Sequence, residues 1–179
     1  MMKDDIYKVL LTKEQIEKRV KEIAAKINAD FQNEDLIVVC ILRGSCYFFA
    51  DLTRELTSFV DLEFMSVSSY NSGTSSSGEV RIIKDINCAI EGKNVIIVED
   101  IVDTGYTLSY LKRILLERRP KSLKICTLLD KPSRRKVEID GDYVGFEVPN
   151  EFVVGYGLDY NQNYRNLPYI GVLKQEIYG

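Results

Sequence analysis

The chain has 179 residues, 45% of them hydrophobic and 28% charged, with a formal net charge of −3. A single domain spanning 1–179 is expected at that length, and the composition excludes global disorder, collagen-like repeats and extended coiled coil. No apolar run approaches the ~18 residues of a membrane span, and the missing excess of Lys and Arg argues against a dedicated nucleic-acid binder.

The opening Met1-Met2-Lys3-Asp4-Asp5 leads into mixed charge with no apolar stretch. No signal peptide is expected there, and a cytoplasmic protein is. Thr12-Lys13-Glu14-Gln15 fits a capping box and predicts a helix over 12–31, with Ile16, Val20, Ile23 and Ile27 at helical spacing. Leu36 to Ile41 is a continuous apolar run, the pattern of a strand buried on both faces. Leu42-Arg43-Gly44-Ser45 reads as a turn and 46–57 as a second helix. A strand follows from Val60 to Val67. The 70–79 stretch, small and polar after Tyr70, predicts a mobile loop at the tip of a hairpin that resumes at Val80.

Asn94 to Val98 reads as another buried strand, ending in Glu99-Asp100. The segment from Ile101 to Thr107 then opens a helix expected to run to Arg119, with Leu108, Leu111 and Leu115 inward and Pro120 as its stop. Further strands are expected over 123–129, 143–148, 152–154 and 170–173. Strands alternating with helices predict an α/β domain on a largely parallel sheet.

Histidine is absent. That removes Ser-His-Asp and Cys-His mechanisms and His-ligated zinc, so a general base must be Asp, Glu, Lys, Tyr or Cys. Cys40, Cys46, Cys88 and Cys126 form no CxxC pair, and Cys40 and Cys126 read as core residues.

The most informative segment runs from Val95 to Leu108. A buried strand delivers Glu99 and Asp100 to the usual ligand edge of an α/β sheet. Asp103, Thr104, Gly105 and Thr107 then lead into a helix whose first N–H groups suit a phosphate. Vicinal acids beside a phosphate cradle suit a sugar phosphate. The same residues would equally serve as a plain helix cap and solvated acids, and residue chemistry alone leaves both readings open. Neither a P-loop nor a G-x-G-x-x-G pattern is present.

This segment resembles the phosphoribosyl-pyrophosphate (PRPP) signature of the type I phosphoribosyltransferases. Four other landmarks bring the resemblance to the hypoxanthine-guanine phosphoribosyltransferases: Leu42-Arg43-Gly44-Ser45, Ser69-Tyr70, Leu128-Leu129-Asp130-Lys131, and Phe152 through Asn161. Together they cover about 36–173 in order. The resemblance implies the family fold, a largely parallel sheet flanked by helices with a small hood and a mobile hairpin loop.

It also implies roles. Glu99 and Asp100 would hold the ribose hydroxyls, partly through Mg²⁺, and Asp159 would meet a second Mg²⁺ through water. Asp103, Thr104, Gly105, Tyr106 and Thr107 would form the 5′-phosphate turn, with no role for the Tyr106 side chain. Leu42, Arg43 and Gly44 would form the pyrophosphate loop, whose Leu42–Arg43 peptide is often cis in this family, and Arg165 would contact pyrophosphate. Lys131 would meet the purine 6-oxo group and Phe152 would stack on the base. The Val153 backbone would read the base edge, with Asp159 near the 2-position. Ser69 and Tyr70 would open the lid loop.

Asp103 is then the expected base at purine N7. The implied substrates are PRPP with hypoxanthine or guanine, releasing pyrophosphate, in a homodimer or homotetramer. A nucleotide-sensing RNA- or DNA-binding regulator of the same fold, or an enzyme for another base, are the competing readings. The acidic balance and the presence of Asp103 and Lys131 weigh against the regulator.

Overall fold

The computed structural model describes residues 2–69 and 80–179. After a short 3-10 turn, β1 (Ile6–Leu11) leads to α1 (Lys13–Asp30), β2 (Leu36–Leu42) and α2 (Cys46–Arg54). There follow β3 (Val60–Ser69), β4 (Val80–Lys84), β5 (Asn94–Val102), α3 (Tyr106–Leu116) and β6 (Ser122–Asp130). The chain closes with β7 (Tyr143–Glu147), β8 (Val153–Val154), β9 (Ile170–Leu173) and α4 (Gln175–Tyr178). No helix among the described residues is long and apolar enough to cross a membrane.

The capping box forms as the sequence predicts. Gln15 N–H donates to the Thr12 hydroxyl at 3.3 Å, and Thr12 N–H donates to the Gln15 side chain at 2.8 Å. Two orphan donors are thereby satisfied. Ile16, Val20, Ile23 and Ile27 form the buried stripe of α1.

Six strands form the main sheet in the order β4-β3-β2-β5-β6-β7, and every pairing but β3–β4 is parallel. The two faces carry separate cores. Val38, Cys40, Ile96, Val98 and Cys126 pack with α1 and α2 residues such as Val20, Phe48 and Leu52. Ile37, Val39, Ile41, Val95 and Ile97 pack instead with Leu108, Leu111 and Leu115 of α3. Apolar residues at every position of β2 and from Val95 to Val98 of β5 are what a sheet covered on both faces requires.

A second sheet, β1-β9-β8, is antiparallel and forms the small hood. The 152–154 and 170–173 strands therefore belong to this hood and not to the main sheet. The expected loop at 70–79, Tyr70 included, lies outside the described residues, while Ser69 closes β3.

Three boundaries differ from expectation by three residues or more. β5 runs through Glu99 and Asp100 to Val102, because β6 continues beside it and supplies partners at Ile101↔Leu129 and Val102↔Asp130. α2 stops at Arg54, where Asn28 of α1 takes over the backbone: its side chain donates to Glu55 O at 3.0 Å and accepts from Thr57 N–H at 2.9 Å. α3 stops at Leu116. Arg119 turns left-handed at φ 56°, and Arg118 leaves the helix for Asp85.

Candidate active site

Three parallel strands end on one edge. β2 passes through a cis Leu42–Arg43 peptide into Gly44. β5 carries Glu99 and Asp100 near its end and continues through Asp103 and Thr104 to Gly105. β6 ends at Asp130, followed by Lys131. Such carboxyl edges are where open α/β sheets hold ligands.

Gly105 is the N-cap of α3, at φ 87°, a conformation glycine adopts at no steric cost. A side chain there would also press to 2.5 Å from Ile139. No side chain caps α3 among the described residues, so its first backbone N–H groups are available to an anion.

A cleft of about 300 Å³ opens over this turn. Leu42, Arg43 and Gly44 wall it on one side, and Glu99 with Asp100 form another part. Asp103, Thr104, Gly105 and Thr107 line the turn itself, and Asp159 and Arg165 complete the wall. Burial pushes the Glu99 carboxyl well above the usual carboxylate range, and the adjacent Asp100 charge adds to the rise. Asp100 is raised by burial too. Its hydrogen bond with Glu99, the Ile101 N–H at 2.7 Å and the Arg165 charge oppose that rise.

Two repelling, desolvated acids with only oxygen donors suit a hard divalent cation, whose charge relieves both penalties. No cluster of three potential metal-ligating acids or cysteines exists among the described residues. Glu99 and Asp100 fit a cation that draws its remaining ligands from a bound substrate.

Two arginines of the same cleft converge on Gln162. Gln162 Oε1 accepts from Arg43 at 3.2 Å and from Arg165 at 3.1 Å. Arg165 also donates to Gly157 O at 2.6 Å and pairs with Asp159 at 2.8 Å. Gly157, at φ 103°, packs so tightly on Gly44 that a Cβ would run into the Gly44 carbonyl oxygen.

A second cleft, of about 470 Å³, lies beside the first. Lys131, Phe152, Val153 and Leu158 line it, and Ile101 and Asp103 belong to both clefts. Lys131 is only 7% exposed, and burial pushes its ammonium below the ordinary lysine range while the Asp103 charge resists. Its Nζ donates to Glu151 O at 2.7 Å. Asp103 accepts from Arg134 Nε at 2.7 Å through its carboxylate and from Arg135 at 2.7 Å through its backbone carbonyl. Arg135 in turn pairs with Asp130.

The residues singled out from the sequence thus divide between two adjoining clefts. Asp159 lines the first and not the second. Tyr106 is exposed and lines neither. Arg134, Arg135, Gln162 and Gly157 went unassigned in the sequence. Only the Gly-Tyr-Gly run at 155–157 offered a local signal.

Residues 7–161 match the phosphoribosyl transferase domain family. The chain is 53% identical to the hypoxanthine-guanine phosphoribosyltransferase of Bacillus subtilis, over 99% of both chains. It is 51% identical to the bifunctional protein TilS/HprT of Listeria monocytogenes, covering 99% of this chain and 27% of that one. Among solved structures, a hypoxanthine phosphoribosyltransferase from Staphylococcus aureus superimposes with a TM-score of 0.96 at 51% identity, covering 99% of this chain and 97% of that one.

Proposed function

The chain belongs to the phosphoribosyl transferase family, among its hypoxanthine-guanine members, and from that premise we propose how its two clefts share one reaction. It is a purine-salvage transferase that moves the 5-phosphoribosyl group of PRPP onto hypoxanthine or guanine. PRPP occupies the carboxylate cleft and the purine occupies the Lys131–Phe152 cleft. The observation that carries this division is that Asp103 lines both clefts. A group at that junction can reach the base as it meets C1′ of the ribose.

The 5′-phosphate sits in the 103–107 turn, on the open N–H groups of α3 and the Thr104 and Thr107 hydroxyls. Arg43 and Arg165, already gathered on Gln162, receive the pyrophosphate together with the backbone at Leu42 and Gly44. Glu99 and Asp100 hold the ribose hydroxyls and would share Mg²⁺ with the substrate, and Asp159 would serve a second ion. The metal, when bound, neutralises charge on pyrophosphate.

Lys131 donates to the purine 6-oxo group, Phe152 stacks on the ring, and the Val153 backbone reads its edge. These contacts hold N9 in line with C1′. The N9–C1′ bond forms as the C1′–pyrophosphate bond breaks, and Asp103 accepts the N7 proton. The test is incubation with PRPP and each of hypoxanthine, guanine, xanthine and adenine, with Mg²⁺ and with excess chelator. Mg²⁺-dependent pyrophosphate release with the first two bases is expected. No release with either of them would reject the assignment.

A further inference from the structure

The ring assigned to stack on the purine already carries another ring. Tyr178, the last residue of α4, stacks on Phe152 with centroids 4.7 Å apart and planes 22° from parallel. Tyr160 lies perpendicular to the same ring, with centroids 5.7 Å apart and planes at 89°. Phe152 nevertheless remains 36% exposed. A planar ring stacked on one face, yet still a third exposed and lining the base cleft, keeps surface open to that cleft.

Tyr178 is held in place for this. Lys174 N–H donates to Asp5 O at 2.9 Å, which ties the start of α4 to the N-terminal segment. Ile177 packs against the Val154, Tyr164, Leu167 and Leu173 cluster. Leu173 N–H donates to Phe152 O at 2.9 Å, which ties the end of β9 to the stacking residue. Tyr178, with Asn150 and Glu151, lines both the base cleft and a cleft of about 540 Å³ that Tyr7, Lys174 and Glu176 also bound.

We propose that Tyr178 is a positioning residue for the purine: it braces Phe152 from behind, so that an incoming base completes a three-ring stack on a platform already set. This rests on Phe152 stacking on the base, as proposed above. Parallel-displaced aromatic pairs of this geometry are attractive beyond their buried area, and a ring fixed in advance loses less freedom when the ligand arrives. The hydroxyl plays no part.

Steady-state kinetics of wild type, Tyr178→Ala and Tyr178→Phe, with thermal melts to confirm folding, test this. Tyr178→Ala should raise KM for hypoxanthine and guanine about 3- to 10-fold, the size of one lost aromatic pair. The KM for PRPP and kcat should stay near wild type, and Tyr178→Phe should restore the purine KM. A purine KM unchanged in Tyr178→Ala overturns the brace. A lowered one overturns it too, and would mean that the tyrosine sits where the base belongs. A matching rise in the PRPP KM, or failure of Tyr178→Phe to restore, also overturns it. Wild-type protein that turns over no purine at all strikes the functional assignment itself, a result distinct from any of these.

Discussion

Gly44 lies so close to Asp100 that a Cβ on the glycine would be driven into the carboxylate oxygen Oδ2. The turn after β2 is thus fitted against an acid of β5, and Gly157 is fitted against the back of the same turn. Gly–Gly–Asp contact packs the loop proposed to receive pyrophosphate directly against an acid proposed to hold ribose.

Gly44→Ala tests that fit. Its backbone is not in the left-handed region, so the substitution acts through the clash with Asp100 alone. A misplacement on the order of 1 Å in a catalytic constellation can cost about 10²-fold. The expected outcome is a fall in kcat/KM for PRPP of that order, with the melting temperature changed little. Unimpaired kcat/KM would show that Asp100 tolerates the shift.

Base selection should follow from the contact proposed for Lys131. An ammonium is a pure donor, so a 6-oxo group satisfies it and the 6-amino group of adenine does not. Adenine would leave a buried cation poorly paired, and sites of that kind reject the wrong partner by up to ~10⁴-fold. Guanine and hypoxanthine should be good substrates and adenine essentially excluded. Xanthine should be weaker, because the Val153 carbonyl expected at the purine 2-position repels its 2-oxo group. The ratio of kcat/KM values across the four bases decides this: adenine within tenfold of hypoxanthine would falsify the Lys131 assignment.

Stability should carry a pH signature at Asp85. Arg118 donates to both of its oxygens, at 2.9 and 2.6 Å, and those hydrogen bonds hold the carboxyl below the ordinary aspartate range. A carboxyl depressed on folding stabilises the protein above its unfolded pKa of about 3.9 and loses that contribution as pH falls through the folded value. Both side chains are a third or more exposed, so solvent screening limits the pair to about 1 kcal/mol or less. Asp85→Asn should lose about that much in urea unfolding at pH 7, and its deficit should close as pH drops below ~4. A deficit of equal size at pH 7 and pH 3 contradicts the ion-pair explanation.

Much of this architecture was legible in the sequence because local and buried patterns coincide. The Thr12–Gln15 box, the all-apolar runs of β2 and β5 and the Leu108–Leu111–Leu115 stripe each announce themselves within one segment. β1 did not. Its first five residues are partly or fully exposed, and its strand character comes from pairing with β9, at the opposite end of the chain. The clefts were legible through the family motifs and not through periodicity. Arg134 escaped because its partner Asp103 lies 31 residues earlier, a contact that only the folded 131–135 turn creates. Gln162 escaped because its importance lies in receiving two arginines from separate segments.

Asp103 at the junction of the two clefts is the point on which the proposed mechanism turns, and Asp103→Asn is its most direct test. The amide keeps the size of the side chain but cannot take the N7 proton at neutral pH. Turnover with hypoxanthine should fall ~10²-fold or more, the usual weight of a positioned base. PRPP affinity should stay within a few-fold, since the α3 N–H groups and the Thr104 and Thr107 hydroxyls are untouched. Turnover within a few-fold of wild type would contradict the assignment of Asp103 as the base.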